Sequence, residues 1–422
     1  MNAPDRSTFD RIIEPLDELS RARRTAAFDR FDATVMPTQK LEQWKYVDLG
    51  FDLKQVPVAD IPGDALQPGP FLAAIAEREA TVVVIDGTVT EITAGSEARI
   101  RKLADLDGSQ VDRVDSLIDV ERDIFATARA AFAPDAVVVT APRGVTVSKP
   151  VVIDLQATSA VSSFPRVSIV AEENAEIGVI VMLRSAPGEA AVMAPQIGLH
   201  AESGARIRYV AVQNVAFEAT VVVHQKVEIG RDATVRTGEV GLGGKLGRLD
   251  LDVELDGQGS SAEVLGVYFG EYSQTLDYRM LIHHKGKNSS SDVFLKGAVE
   301  DDAQSVFTGL LKIEKGAERT SAFETNRNLV LSEGAKAHSV PNLEIECDDV
   351  VCGHGSSVGP LETEHLYYLR SRGLSAERAE RLMIKGFFNE VIDRLPVAGL
   401  AEPVREELFG RFIEAQREGR VA

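Results

Sequence analysis

From residue 136 to about 345, apolar and polar positions alternate in short runs rich in β-branched residues: AVVVTAP, VTVSKPVVIDL, RVSIVAE, IGVIVML, RIRYVAVQNV, TVVVHQKVEIG and RLDLDVELDG. A period of two in such residues predicts strands. Helical spacing is nearly absent, and few stretches are long enough for a crossover helix. A weak repeat overlies the strands: an apolar residue, often Glu, then a turn residue followed by a small one. It runs through VAEENAEIG, LHAESGARI, VEIGRDATV, VELDGQGSS, KIEKGAERT and LVLSEGAKA. The small residue falls at Ala175, Ala205, Ala233, Ser260, Ala317 and Ala335; the first spacings are 30, 28 and 27 residues and the last is 18. Strands and tight turns at a near-constant period mean stacked coils, because one coil buries its apolar face only against the next. The pattern therefore favours a β-helix. A β-sandwich, which also has turns at regular spacing, is the alternative.

The two ends of the chain read differently. Leu16, Leu19, Ala22, Ala26, Ala27 and Phe31 recur at helical spacing in LDELSRARRTAAFDRF. ATVVVIDGTVTEI predicts two short strands around Asp86-Gly87, and ERDIFATARAAFAP a helix ending near Pro134. Beyond residue 360, LETEHLYYLRSRG predicts a helix closed by Gly373. Ser375 is placed to cap the next one, whose Ala379, Leu382, Met383, Phe387 and Val391 share a face. Pro396 stops it, and PVREELFGRFIEAQ forms a last helix. The expected organisation is a mixed, helical N-terminal region over 1–125, a β-helix core over 126–358 and a C-terminal helical domain over 359–422. The C-terminal faces are expected to pack on the body rather than wait for a partner.

Composition narrows the function. The 422 residues are 44% apolar and 26% charged, ordinary globular material with enough apolar surface for a large core. The formal charge of −19 argues against a nucleic acid or an anionic membrane as main partner. There is no run of 18 apolar residues and no apolar leader at the start of the sequence, so a cytoplasmic location is expected. Two cysteines in so long a chain do not make a disulfide scaffold.

Few motifs carry chemistry. Gly355-SSV-Gly359 fits the G-x-S-x-G nucleophile pattern at Ser357, but the only later histidine is His365, too close for the usual triad order. GLGGKLG at 241–247 lacks the glycine and the hydroxyl of a phosphate loop, since 239 is Glu and 246 is Leu; a strand connection is the better reading. His283 and His284 are adjacent on a predicted strand, so they face opposite ways and do not share a metal; an inward one is expected to be held by hydrogen bonds. There remain Cys347, Cys352 and His354. On an extended chain Cys352 and His354 share a face, and a thiolate with an imidazole suits iron or zinc. Cys347 has the opposite parity and is expected to face elsewhere. Two ligands are too few for a closed site. From spacing alone, a strand end and turn is the simpler reading.

The stretch LEIECDDVVCGHGSSVGPLETEHLYYLRSRGLSAERAERLMIKGFFNEV resembles the C-terminal signature of the SufD proteins of the SUF iron–sulfur cluster assembly system. VFTGLLKIEKGAERTSAFETNRNLVLSEGAKAHSVPNLEI, VELDGQGSSAEVLGVYF and EQWKYVDL resemble further blocks of that family in the same order, with Glu318 and Ser321 as surface departures. The paralogous SufB branch has a His-Glu-Ala run where this chain has CGHG. The resemblance implies a right-handed parallel β-helix between helical ends. It also implies a non-enzymatic scaffold that pairs with SufB through the end of the β-helix and docks the SufC ATPase through its C-terminal helical domain, supporting cluster assembly and iron acquisition. It makes His354 a ligand of a nascent iron–sulfur cluster shared with SufB, and Cys352 either a second ligand or a buried structural thiol. Flavin is allowed in the whole complex, no cofactor is expected in the isolated chain, and an isolated chain has the option of a homodimer. The rival readings are a metal-free structural β-helix homodimer and a polysaccharide-acting β-helix enzyme.

Overall fold

The computed structural model describes residues 3–14, 18–117 and 119–418. In the N-terminal region lie α1 (Arg6–Ile13), α2 (Glu18–Ala33), α3 (Pro70–Ala74), α4 (Gly108–Ser116) and α5 (Ile124–Phe132), with β1 (Ala80–Ile85), β2 (Thr88–Ala94) and β3 (Arg99–Lys102) among them. There follow β4 (Val137–Ala141), β5 (Val151–Ala157), β6 (Ser162–Ser163), β7 (Arg166–Ala171), β8 (Glu176–Ser185), β9 (Val192–Met193) and β10 (Gln196–Ala201). The long strands come next: β11 (Arg206–Val215), β12 (Thr220–Ile229), β13 (Thr234–Gly243), β14 (Leu246–Leu255), β15 (Ser261–Gly270), β16 (Thr275–His284), β17 (Ser290–Val299), β18 (Gln304–Ile313), β19 (Thr320–Val330), β20 (Lys336–Ile345) and β21 (Val350–Gly359). The chain closes with α6 (Thr363–Ser371), α7 (Ala376–Ile392) and α8 (Ala401–Arg417). No helix among the described residues is long and apolar enough to cross a membrane.

The strands form a two-sheet parallel solenoid. Ten strands run in the order β2-β1-β5-β8-β11-β13-β15-β17-β19-β21; the facing sheet of eleven runs from β20 through β18, β16, β14, β12, β10, β7 and β4 to β3, with the short β6 and β9 joined to it beside β12. Register pairs Glu176 with Arg206, Arg206 with Thr234 and Thr234 with Ser261, the same 30-, 28- and 27-residue steps read from the turns. The turn chemistry explains that repeat. The residue before five of the six small ones is left-handed: Asn174, Gly204, Asp232, Gly259 and Gly316 all have positive φ, which Gly, Asn and Asp tolerate best. The small residue that follows is buried at the corner, as at Ala175, Ala205, Ala233 and Ser260. The short last interval arises because Ala317 leads into β19 of one sheet and Ala335 into β20 of the other. A β-sandwich is excluded by the parallel pairing.

Sequence texture and strand pairing divide the chain differently. β1 already pairs in parallel with β5, so the sheets begin at Ala80, and the expected boundary at 125/126 falls inside α5.

Along the middle coils both faces of each sheet are largely buried, as in β8, β13 and β14. Inside, residues such as Val179, Leu251, Ile282, Leu295 and Phe307 form the main core. Outside the ten-stranded sheet, Ile384, Phe388, Val391, Leu408 and Phe412 of α7 and α8 pack on Val212, Leu242, Leu265 and Phe269. Burying one such side chain contributes about 1.5–3 kcal/mol, so these helices are part of the folded body, as expected. The buried face of α7 is turned relative to the expectation: Ile384 and Phe388 face the sheet, while Leu382 is half exposed. Gly373 takes the left-handed conformation at the end of α6, and the Ser375 hydroxyl accepts from Arg378 N.

Outside the other sheet, Phe9, Phe28, Phe31, Phe125 and Phe132 form an aromatic cluster with Phe164 and Val222. In α2 the buried side chains include Arg24, Ala27, Phe28 and Phe31, whereas Ala22 and Ala26 are exposed. Leu16 lies outside the described residues. Trp44 stacks on the guanidinium of Arg248, 3.8 Å from its centroid, and Arg248 donates to the Gln43 carbonyl and pairs with Asp250 and Asp277. That contact fastens the EQWKYVDL segment to the solenoid wall.

Candidate functional site

The last coil has no further coil stacked on it. β21 ends one sheet and β20 the other. Parallel pairing sets Ala322 beside Cys352, Glu324 beside His354 and Asn326 beside Ser356. Ala322, Glu324 and Asn326 are buried inward positions of β19, so by the period of two Cys352, His354 and Ser356 lie on the lumen side of β21. Cys352 is half-buried against the end of the core, and His354 is exposed at the mouth. The expected shared face is present.

Cys347 departs from the parity expectation. It packs with Cys352 against the same end of the core. Its strand stops at Ile345, and alternation does not carry across the intervening turn. Both cysteines are free thiols. Among the described residues no three His, Cys, Asp or Glu side chains converge to hold a metal ion. A cluster bound by His354 and Cys352 would therefore need ligands from a second chain, and a soft thiol with an imidazole at an open mouth suits such sharing.

Sequence reasoning missed Glu324. It is fully buried one coil below His354, both carboxyl oxygens lack a partner, and burial pushes its pKa up to about 8. Its head group fills the space left by Gly309 on the opposite wall, where a Cβ would lie 2.1 Å from Oε2. The signal was available: in TSAFETNRN every second residue faces inward, which assigns Glu324 to the lumen. The other motifs have structural roles. Gly355–Gly359 lies wholly within β21, without the strand–turn–helix of a nucleophile elbow. Gly243 and Gly244 make the left-handed turn between β13 and β14. His284 is buried between the hydroxyls of Ser289 and Ser291, 2.8 Å from each, and burial pushes its pKa down to about 4; His283 turns the other way, beside Glu314.

A groove of about 950 Å³ runs beside the mouth between the second half of β21, α6 and α7. Val358, Tyr368, Leu382, Met383 and Phe387 line it, which accounts for the side of α7 that does not face the sheet. None of the residues of α6 is buried, and Tyr367 is 76% exposed.

The molecule is thus a helix-flanked parallel β-solenoid, closed along its length and open at one end, with a thiol and an imidazole on the open rung. The family model for the SUF system FeS cluster assembly SufBD core domain matches residues 154–387, more than half of the chain, and the chain belongs to that SufBD family. A SufBD family protein of Mycobacterium leprae is 40% identical over 209 residues, 48% of this chain and 53% of that protein; the chain matches about half the length of its mycobacterial relatives. The iron–sulfur cluster assembly protein SufD of Bacillus subtilis is 36% identical over 199 residues, 46% of this chain and 45% of that protein. SufD of Escherichia coli is 26% identical over 393 residues, 90% of each chain.

Proposed function

We propose that this chain is a non-catalytic scaffold subunit for iron–sulfur cluster assembly, and that it acts by pairing its open end with a SufB-type chain. The observation that carries this is the terminal strand. β21 presents ten residues of unpaired backbone edge with no Lys, Arg, Asp, Glu or Pro to discourage pairing. His354 and Cys352 stand on its lumen side, where a partner strand brings the missing ligands. The nascent cluster is cargo held between the two chains, with His354 the principal ligand from this one. The exposed α6 and the groove beside α7 are the docking surface for the SufC-type ATPase, whose nucleotide-driven movement opens the shared mouth. Iron acquisition and any flavin belong to the assembled complex.

The test is anaerobic reconstitution with SufB-type and SufC-type partners, followed by iron and sulfide analysis. His354→Ala is expected to leave the complex intact and to abolish cluster assembly. Assembly at the wild-type rate would sink the ligand role. Removing residues 361–422 would strip the outer face of the ten-stranded sheet, so ATPase docking is better tested by Tyr367→Ala with Leu382→Asp. Unaltered binding of the ATPase subunit by that double variant rules the surface out.

A further inference from the structure

We propose that the cavity between α2, α4 and α5, remote from the open rung, binds a small organic monoanion, one carboxylate head on an apolar body, with Arg24 as its anchor. The cavity has a volume of about 700 Å³, within the roughly 300–1,000 Å³ of small-molecule sites. Its walls are largely apolar, with Ala27, Leu103, Leu106, Val111 and Pro134 among them. Arg24 sits on the buried face of α2, in series with Ala27, Phe28 and Phe31, and is 8% exposed. A charge at such a position is costly unless it is paired.

The guanidiniums around the cavity are matched to carboxylates except at this one. Arg23 pairs with Asp112 at 2.7 Å and with Asp115 at 3.2 Å. Arg166 pairs with Asp115 at 2.8 Å, and Arg30 with Glu121. The backbone N–H groups of Leu103 and Ala136 both donate to Oδ1 of Asp135, which lies near enough to Arg24 to attract it but makes no ion pair with it. Arg24 lines the cavity and makes no hydrogen bond or ion pair with any described residue. Burial, and then the charge of Arg166, pull its pKa down to about 10, so it remains a cation at neutral pH. An anion in the cavity would supply the missing partner. The nearby Asp115 and Asp135 favour a single negative charge over the double charge of a phosphate monoester. A guanidinium fork matches a carboxylate bidentately.

The experiment is calorimetric titration of the full chain with octanoate, octanol and inorganic phosphate. Octanoate is expected to bind on the order of tenfold or more tightly than octanol, the worth of one charge-assisted hydrogen-bonded pair, and phosphate alone is expected to give no heat. Arg24→Met keeps the apolar stem and should bring octanoate to the octanol level. Arg24→Lys keeps the charge and should retain a reduced preference for octanoate, which keeps the proposal testable if the methionine variant does not fold. If the wild-type chain binds octanoate no better than octanol, or if Arg24→Met binds it as well as the wild type does, the proposal is overturned and Arg24 is only an unpaired structural cation.

Discussion

The two ends of the solenoid are built on opposite rules. At the first end, each sheet finishes in an antiparallel strand: β2 on β1, with a register shift at Val83/Val84, and β3 on β4. β3 is four residues long and reads RIRK. Short, bulged and charged edges are the devices by which sheets avoid joining other sheets. At the last end, the two strands are full-length and parallel. β20 carries Pro341, Lys336 and Glu344, a partial defence, but β21 carries none. Val351 and Val358 are exposed on β21, 65% and 46%. One end is finished within the chain; at the other the edge of β21 carries none of these devices. Both cysteines and His354 are on the unfinished end.

The largest effect that separates interior from open end is on stability. Phe307 is fully buried between the sheets, and Phe307→Ala is expected to cost about 3–5 kcal/mol through lost transfer and a cavity. Val358→Ala on the open rung should stay within about 0.5 kcal/mol. Denaturant midpoints at constant m-value measure both. Similar losses would mean that the last coil is covered in the isolated chain.

A second contrast is in pH. Glu239 is buried in the lumen on Gln225, and burial raises its pKa to about 8 despite that hydrogen bond, whereas the unfolded chain titrates near 4.3. The folded state therefore holds a proton that the unfolded state has released. The stabilisation is complete below about pH 4.3 and is lost as pH rises to about 8, at up to roughly 1.4 kcal/mol per unit. Glu239→Gln should remove that slope, so the variant gains on the wild type between pH 5 and 8. Parallel stability curves would show that the carboxylate is ionised in the lumen.

Much of this fold was legible because its turns repeat a chemical demand. A left-handed corner takes Asn, Asp or Gly, and the buried corner behind it takes Ala or Ser, so the coil period is written in the sequence at Asn174-Ala175, Gly204-Ala205 and Asp232-Ala233. The shared face of Cys352 and His354 was equally legible, since alternation within one strand decides it; that this face is the lumen came only from the pairing with β19. Cys347 was not, because its neighbours form a turn whose geometry has no fixed period. The α7 face was misread for another reason: its apolar stripe serves both the sheet, through Ile384 and Phe388, and the groove, through Leu382 and Met383, and periodicity does not tell one contact from two. A buried charge such as Arg24 is the least legible, since a single charge on an apolar helix face looks like the edge of that face, whereas the alternation along β19 does assign Glu324 inward.

The smallest effect on the isolated chain is the sharpest on the comparison of ends. Ser356 lies on the lumen side of β21, two residues beyond His354, and is exposed because nothing is stacked above it. In Ser356→Lys the ammonium reaches water through the open mouth, so thermal and denaturant unfolding should move by no more than about 0.5 kcal/mol. An inward-pointing lysine is also a device that keeps a natural edge from accepting another strand. Stacking a further coil would bury that charge against Glu324 and Asn326 at a cost of several kcal/mol, unless Glu324 ionises to meet it. Association with a SufB-type chain, or with a second copy of this one, should weaken by at least about tenfold in analytical ultracentrifugation. Replacing Thr90 with Lys on the already defended β2 is the matched control and should change neither quantity. Equal association by the Ser356 variant and the wild type would mean that partners bind somewhere other than the open rung, and His354 would then lose its place at an interface.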